Sequence, residues 1–202
     1  MPQLKNKPPD DVIVDVAENL NPGPFGKVVK KARSHVDGAG VGGVKIACDL
    51  HRLVRTKVDY AEYANFRHPP IECLGNEGNC VDTTCLFCSL LIRVGFECRM
   101  VSVSLRDRGH MFTEVLIPAS HDEIHDDIVD YYTDRRFLGG INTASVGSNE
   151  QGCRWVIADP ATSDFLGDTT GLRELGYIRN SGESWDAPQW SGDTDRYRIH
   201  FG

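Results

Sequence analysis

The spacing of hydrophobic residues changes along the chain from a helical period to a strand period. In residues 44–63, "VKIACDLHRLVRTKVDYAEY", apolar residues recur with helical spacing. Residues 81–94 are apolar on most sides, which predicts a helix buried on several faces, and Gly95 is well placed to end it. After Gly95 the period becomes two, and this pattern predicts strands at 97–105, 110–118 and 153–160.

Helices followed by strands indicate an α+β fold, here an antiparallel sheet packed against a central helix. We predict a core domain over residues 44–161, preceded at 1–43 by an arm and a helix. Residues 162–202, which include a strand candidate "RYRIHF", are expected to form an extension that packs on the core or on a partner. Within the core, residues 119–150 are too long and too polar for a simple hairpin loop, so we interpret them as an insertion.

The insertion contains the acidic stretch "HDEIHDDIVD", with His121 and His125 among its carboxylates. We interpret this stretch as a solvated loop, and a divalent-cation site is the alternative. Because loops on a rigid scaffold usually set specificity, we expect residues 119–150 to overhang the functional site or to contact a partner.

Charge and composition exclude several classes of protein. The 202 residues include 22 Lys and Arg against 29 Asp and Glu, a net charge of −7, which argues against nucleic acid as the main partner. No run approaches the ~18 apolar residues of a membrane span, and no signal peptide is recognised. We therefore expect a cytoplasmic protein, with association with a virus particle as a second setting. Seven cysteines without a secretory signal predict free thiols rather than a disulfide framework.

Four of the cysteines lie in residues 78–99, "GNCVDTTCLFCSLLIRVGFECR". Structural zinc requires paired ligands on tight turns, whereas the Cys85–Cys88 pair lies inside an apolar helix and has no matching second pair. A redox pair requires an exposed first cysteine at a helix start, which also excludes Cys85. Cys85, Cys88 and Cys98 are therefore predicted to be small buried hydrophobes, and neither a metal nor an organic cofactor is expected.

Cys80 differs from the other cysteines because it follows a Gly-Asn turn at a predicted helix start. Free N–H groups and the helix dipole favour the reactive thiolate there. His110 opens one predicted strand and Asp159 closes the next, and such ends are adjacent in an antiparallel sheet. Each residue alone is more often structural. A thiolate, an imidazole and a carboxylate together are what nucleophilic acyl transfer requires.

The sequence resembles the transglutaminase-like superfamily of papain-type cysteine enzymes from about Val44 to Ala161. "HPPIECLGNEGNC" is similar to the family's P-x-E-x-L followed by G-D-C, and "CLFCSLLIRVGFECRMVSV" to its helix, R-x-x-G turn and strand. "GHMFTEVLI" is similar to its H-A-W-x-E-V strand, and "RWVIADPA" to its W-x-x-x-D-P-T. Two positions depart from the pattern, since Asn79 stands for the usual aspartate and Phe112 for the usual tryptophan, whereas Asp82 is retained.

The resemblance implies a papain-like/transglutaminase-like core in which Cys80 is the nucleophile, His110 the general base and acid, and Asp159 the orienting residue. It implies acyl transfer at a peptide or protein amide through a thioester. We favour water as the acceptor of the acyl group, which predicts a protease or an amidase. Transfer to an amine, which would make the protein a transglutaminase, is left open. The alternative is a non-catalytic structural or interaction protein that keeps the fold, for example a virion component.

The roles of Glu114 and of two tryptophans near the end of the chain have competing interpretations. Glu114 shares a strand face with His110, and we interpret it as a structural or surface pairing residue, with support of the site as the alternative. Trp185 and Trp190 are expected to line a substrate groove, to dock on a neighbouring subunit or to pack on their own domain.

Overall fold

The computed structural model describes residues 42–62, 73, 75–134, 146–148, 154–179 and 189–198. The arm and helix predicted before residue 42, Trp185 and Cys153 lie outside these residues. Of the helices in this part of the chain, none is both long enough and apolar enough to cross a membrane.

Helix α1, Gly42–Lys57, precedes a very short strand, β1, Asp59–Tyr60. The helical pattern predicted a longer helix, but the chain turns at Val58, whose side chain is buried. Strand β1 pairs in parallel with β2, Glu77–Gly78, which leads into the next helix.

Helix α2, Cys80–Arg93, is the buried central helix, as predicted. Every residue from 82 to 91 is buried, because α1 covers one side of the helix and the sheet covers the other. The helix ends in a Schellman motif, in which the Phe96 N–H donates to Leu91 O at 3.0 Å and the Gly95 N–H donates to Ile92 O at 2.9 Å. Gly95 has a φ of 96°, a left-handed conformation that favours glycine, so its predicted role as the helix stop is confirmed.

Five strands form one antiparallel sheet in the order β5-β6-β4-β3-β7. The predicted α+β class and the three predicted strands are confirmed. The strand predicted near the end of the chain is present as β7 and begins earlier than expected. The strands are β3 Cys98–Ser104, β4 Gly109–Ile117, β5 Val146–Ser148, β6 Arg154–Ala158 and β7 Asp193–Arg198.

The two faces of the sheet bury different clusters. One face packs against α2 and shares the main core with the helices. The opposite face carries a smaller apolar cluster, which the chain after Asp159 covers with the short helix α4, Thr170–Glu174, and with a bridge between Ile178 and Trp190. The members of this cluster are Val101, Val103, Phe112, Ile157, Leu172, Tyr177 and Ile178.

The interpretation of "HDEIHDDIVD", residues 121–130, as a solvated loop is wrong, because these residues lie in helix α3, His121–Asp134. Its inner face buries residues at helical spacing, Ile124, Ile128, Tyr131 and Tyr132. Ser120 and Glu123 form a capping box, in which the Ser120 N–H donates to Glu123 Oε2 at 2.9 Å. Helix α3 packs on α1, so this part of the predicted insertion contributes to the core.

Candidate active site

Cys80 is the first residue of α2, and its half-buried side chain lies where the helix begins. Asn79 is the N-cap, with Oδ1 accepting from the N–H groups of Val81 at 2.9 Å and Asp82 at 3.1 Å. Asp82 Oδ2 accepts in return from the Asn79 N–H at 3.1 Å, which completes a capping box. Asn79 and the retained Asp82 therefore fix the helix start that presents the cysteine.

The cap leaves one N–H group of the first turn unused. The Val81 and Asp82 N–H groups donate to the Asn79 side chain, and the Thr83 N–H donates to Asn79 O at 3.0 Å. Among the described residues the Cys80 N–H has no acceptor. A free backbone donor therefore lies beside the sulfur, at the positive end of the helix.

His110 and Asp159 meet through the pairing of β4 with β6. Thr113 is opposite Ala158, so the residue that follows β6 lies next to the beginning of β4. The His110 Nε2 N–H donates to Asp159 Oδ2 at 2.7 Å, and both side chains are buried. Since Nε2 is engaged, Nδ1 is the ring nitrogen that remains for Cys80, whose side chain is also a hydrogen-bond partner of the imidazole.

Asp159 is held from several directions. Its Oδ1 accepts from the Ala161 N–H at 3.2 Å, and its Oδ2 accepts from the Thr162 hydroxyl as well as from His110. Its backbone carbonyl accepts from the Ser163 N–H at 2.9 Å. The carboxylate is therefore fixed by the turn that begins with it, and it is fully buried.

Charge within this pair shifts both pKa values. Burial lowers the pKa of His110, but the Asp159 charge and hydrogen bonds with Asp159 and Cys80 outweigh burial and raise it from 6.5 to about 10. Burial raises the pKa of Asp159, but the His110 charge and hydrogen bonds from His110, Thr162 and Ala161 outweigh burial and lower it. Both groups are therefore charged at neutral pH, as an imidazolium and a carboxylate.

Aromatic side chains surround the histidine. The Tyr177 ring lies 5.3 Å from the imidazole, centroid to centroid, and the Phe112 ring lies 6.4 Å from it. Trp190 stacks on Phe112 at 5.2 Å, so this tryptophan packs on its own chain. Sequence reasoning missed Tyr177, because this residue belongs to no periodic pattern and to no recognised motif.

The other cysteines of the stretch 78–99 are buried, as predicted. Cys88 Sγ and Thr113 Oγ1 are hydrogen-bonded at 3.2 Å, and Cys98 Sγ contacts Cys88 O at 3.9 Å. Burial and the neighbouring Cys98 raise the pKa of the Cys88 thiol, whereas the Thr113 hydrogen bond acts in the opposite direction. Cys85 lies on the same buried helix.

In the part of the chain that the structure describes, no three His, Cys, Asp or Glu side chains are grouped so that they could hold a metal. The two histidines of α3 each face the next residue along the chain. His121 Nδ1 lies 3.1 Å from Asp122 Oδ1, and His125 Nδ1 lies 3.2 Å from Asp126 Oδ1.

Glu114 is a structural pairing residue, as interpreted from the sequence. Its buried carboxylate accepts from Arg99 through Nε and a terminal nitrogen, and from Arg196 Nε at 3.4 Å. The Arg99 guanidinium also lies 4.0 Å above the Trp155 ring. These contacts join β4 to β3 and β7, and they do not involve the Cys80–His110 pair.

Replacing Glu114 with alanine should destabilise the fold by about 3 kcal/mol, because Arg99 is left partly buried without its anion. Equilibrium unfolding in urea measures this loss. Glu174→Ala, on the exposed face of α4, is the control and should change stability by less than ~0.5 kcal/mol. The folded Glu114→Ala protein should keep the reactivity of Cys80, and loss of that reactivity without loss of stability would contradict a structural role.

The sequence model of the transglutaminase-like superfamily core matches residues 43–160, more than half of the chain. The matched segment contains Cys80, His110 and Asp159. No curated protein matches the chain significantly.

Proposed function

The chain belongs to the transglutaminase-like superfamily, and we propose that it is an enzyme that transfers acyl groups from amides through a Cys80-His110-Asp159 triad. The observation that carries this proposal is the position of His110. Its Nε2 is bonded to a buried carboxylate at 2.7 Å, and its other side faces a cysteine at a helix N-terminus. This is the arrangement that an activated thiol nucleophile requires.

In the resting state the imidazolium of His110 and the carboxylate of Asp159 form an ion pair. The raised pKa of His110, about 10, keeps the imidazole protonated at neutral pH. An imidazolium and a helix N-terminus next to a cysteine sulfur both favour the anionic, nucleophilic form. The buried Asp159 holds the ring orientation and stabilises its positive charge.

The reaction follows from these positions. The Cys80 thiolate attacks the amide carbonyl carbon, and the carbonyl oxygen becomes an oxyanion beside the free Cys80 N–H. His110 gives its Nδ1 proton to the amide nitrogen, the C–N bond breaks, and an amine or ammonia leaves. The thioester is then attacked by water, whose proton goes to His110, and the carboxylic acid leaves as the thiolate re-forms.

We propose water as the acceptor and a peptide or protein amide as the substrate. A primary amine in place of water would give transamidation by the same steps. A screen of the intact protein with a cell lysate, followed by mass spectrometry for an acyl group on Cys80, would identify the acyl donor.

The proposal predicts that iodoacetamide at neutral pH labels Cys80 well before the other thiols. The five other cysteines in the described ranges are all buried. Peptide mapping after short labelling times measures the order of labelling. His110→Ala should remove the preference, since the imidazolium is then absent. Uniform slow labelling of the unaltered protein would contradict an enzyme and support a structural or interaction role for the fold.

A further inference from the structure

The proposed reaction, on which this inference rests, develops an oxyanion for which the Cys80 N–H is a single donor. Such oxyanions are commonly stabilised by at least two hydrogen-bond donors in acyl-transfer enzymes. A second donor must lie on the side of the sulfur where the Cys80 backbone runs, because that N–H fixes the position of the oxygen. The chain that runs beside this backbone is β1.

Strand β1 places Tyr60 beside the approach to the nucleophile. Tyr60 is opposite Gly78, two residues before Cys80, and the Ala61 N–H donates to Gly78 O at 3.1 Å. Gly78 also leaves room for the side chain of Val58, the residue before β1, because a Cβ at Gly78 would lie 2.9 Å from Val58 Cγ1. The Tyr60 side chain is 45% exposed, so it is accessible from solvent and therefore to a substrate.

The charges that act on the Tyr60 hydroxyl agree with the position that the pairing of β1 with β2 gives this residue. Burial raises its pKa to about 12, with further contributions from the charges of Cys80, Glu62 and Asp159. The hydroxyl therefore keeps its proton at neutral pH. A protonated phenol is a hydrogen-bond donor.

We propose that the Tyr60 hydroxyl is the second donor to the oxyanion that forms at Cys80. Tyr177 also feels the charge of Cys80, but its ring lies against the imidazole of the base, 5.3 Å from it centroid to centroid. The Arg108 guanidinium carbon lies over the Tyr177 ring, 5.5 Å from its centroid. The two tyrosines therefore have different positions, with Tyr60 beside the backbone of the nucleophile and Tyr177 beside the base.

The test compares two reactions of the same sulfur in Tyr60→Phe. Acylation by p-nitrophenyl acetate passes through an oxyanion, with the C–S bond formed as nitrophenolate leaves, whereas alkylation by iodoacetamide forms no oxyanion. Removal of the hydroxyl should slow acylation about 100-fold and change the alkylation rate by less than about 2-fold. Tyr197→Phe on β7 removes a hydroxyl away from the site and should change neither rate.

Each other outcome overturns the proposal in a different way. Acylation at the unaltered rate would show that the hydroxyl is not a donor. Equal slowing of acylation and alkylation would show that Tyr60 positions the sulfur instead. If the unaltered protein alkylates at Cys80 but is not acylated there, the proposed acyl transfer fails, and the role of Tyr60 fails with it. Thermal melting of Tyr60→Phe, which keeps the ring, checks that the fold is unchanged.

Discussion

Replacing Cys80 with alanine is expected to abolish acyl transfer, a loss of about 10⁶-fold or to the background rate. The reason is that, among the described residues, no other thiol lies at a helix start beside an imidazole. The fold should survive, because the cap of α2 is made by Asn79 and Asp82 and not by the cysteine. Alanine is also the best helix former. An amide-hydrolysis assay and a thermal melt on the same preparation measure both effects.

Cys85→Ala is the matched control, since it makes the same chemical change one turn further along α2. Cys85 is buried, so its loss should leave a small cavity and cost about 1 kcal/mol of stability. The surviving folded protein should keep its activity. If Cys85→Ala removes activity and Cys80→Ala does not, the nucleophile has been assigned to the wrong cysteine.

Replacing Asp159 with asparagine is expected to lower the rate of acyl transfer by about 10⁴-fold. Asparagine nearly preserves the shape, but it carries no charge to stabilise the imidazolium. Its amide group can also turn an N–H towards the ring, which holds the wrong tautomer. Asp164→Asn is the control, because Asp164 is exposed and its carboxylate lies 3.5 Å from Arg55 in a surface ion pair.

The same substitution should change the dependence of activity on pH. In the unaltered protein, transfer of the Nδ1 proton should fail as pH rises through about 10, where His110 loses its charge. Without the Asp159 charge, the pKa of His110 loses its main upward cause while burial still lowers it, so the decline should begin at lower pH. A rate profile between pH 6 and pH 11 measures this shift. An unchanged profile in Asp159→Asn would mean that the carboxylate does not control the histidine.

The two pKa shifts should make the stability of the folded state depend on pH in opposite ways. The raised pKa of His110 gives stability that is complete below about 6.5 and is lost as pH rises through about 10. The lowered pKa of Asp159 gives stability that is present above its unfolded value and is lost as pH falls through its folded value. The pair therefore stabilises the folded state over the neutral range, and denaturation curves of Asp159→Asn should lack this contribution.

The positions of His110 and Asp159 could be predicted because each stands at the end of a strand with a clear period of two. An antiparallel ladder brings such ends together whatever lies between them. Helix α3 was missed because its outer face is so acidic that the stretch was interpreted as a solvated loop. The Ser120–Glu123 capping box and the helical spacing of Ile124 and Ile128 were the signals available in the sequence.

The surroundings of the site could not be predicted from local patterns. Strand β1 has only two residues, too few to carry a period, and its pairing with β2 joins Asp59 to Glu77 across a long separation. Tyr177 reaches the imidazole from a segment without recognisable motifs. The β1–β2 pairing and the contact of Tyr177 with the imidazole both depend on how distant parts of the chain pack. A short window of sequence does not determine that packing.

The ladder between β4 and β6 also determines when the proposed triad is assembled during synthesis. The hydrogen bond between His110 and Asp159 joins residues 49 positions apart, whereas the bonds that cap α2 span three residues or fewer. Local contacts form quickly and non-local strand pairing forms late. Translation therefore delivers Cys80 on a formed helix before its carboxylate partner has been made. The growing chain therefore carries a thiol without its histidine–aspartate pair, and the proposed acyl transfer is delayed until the sheet has closed.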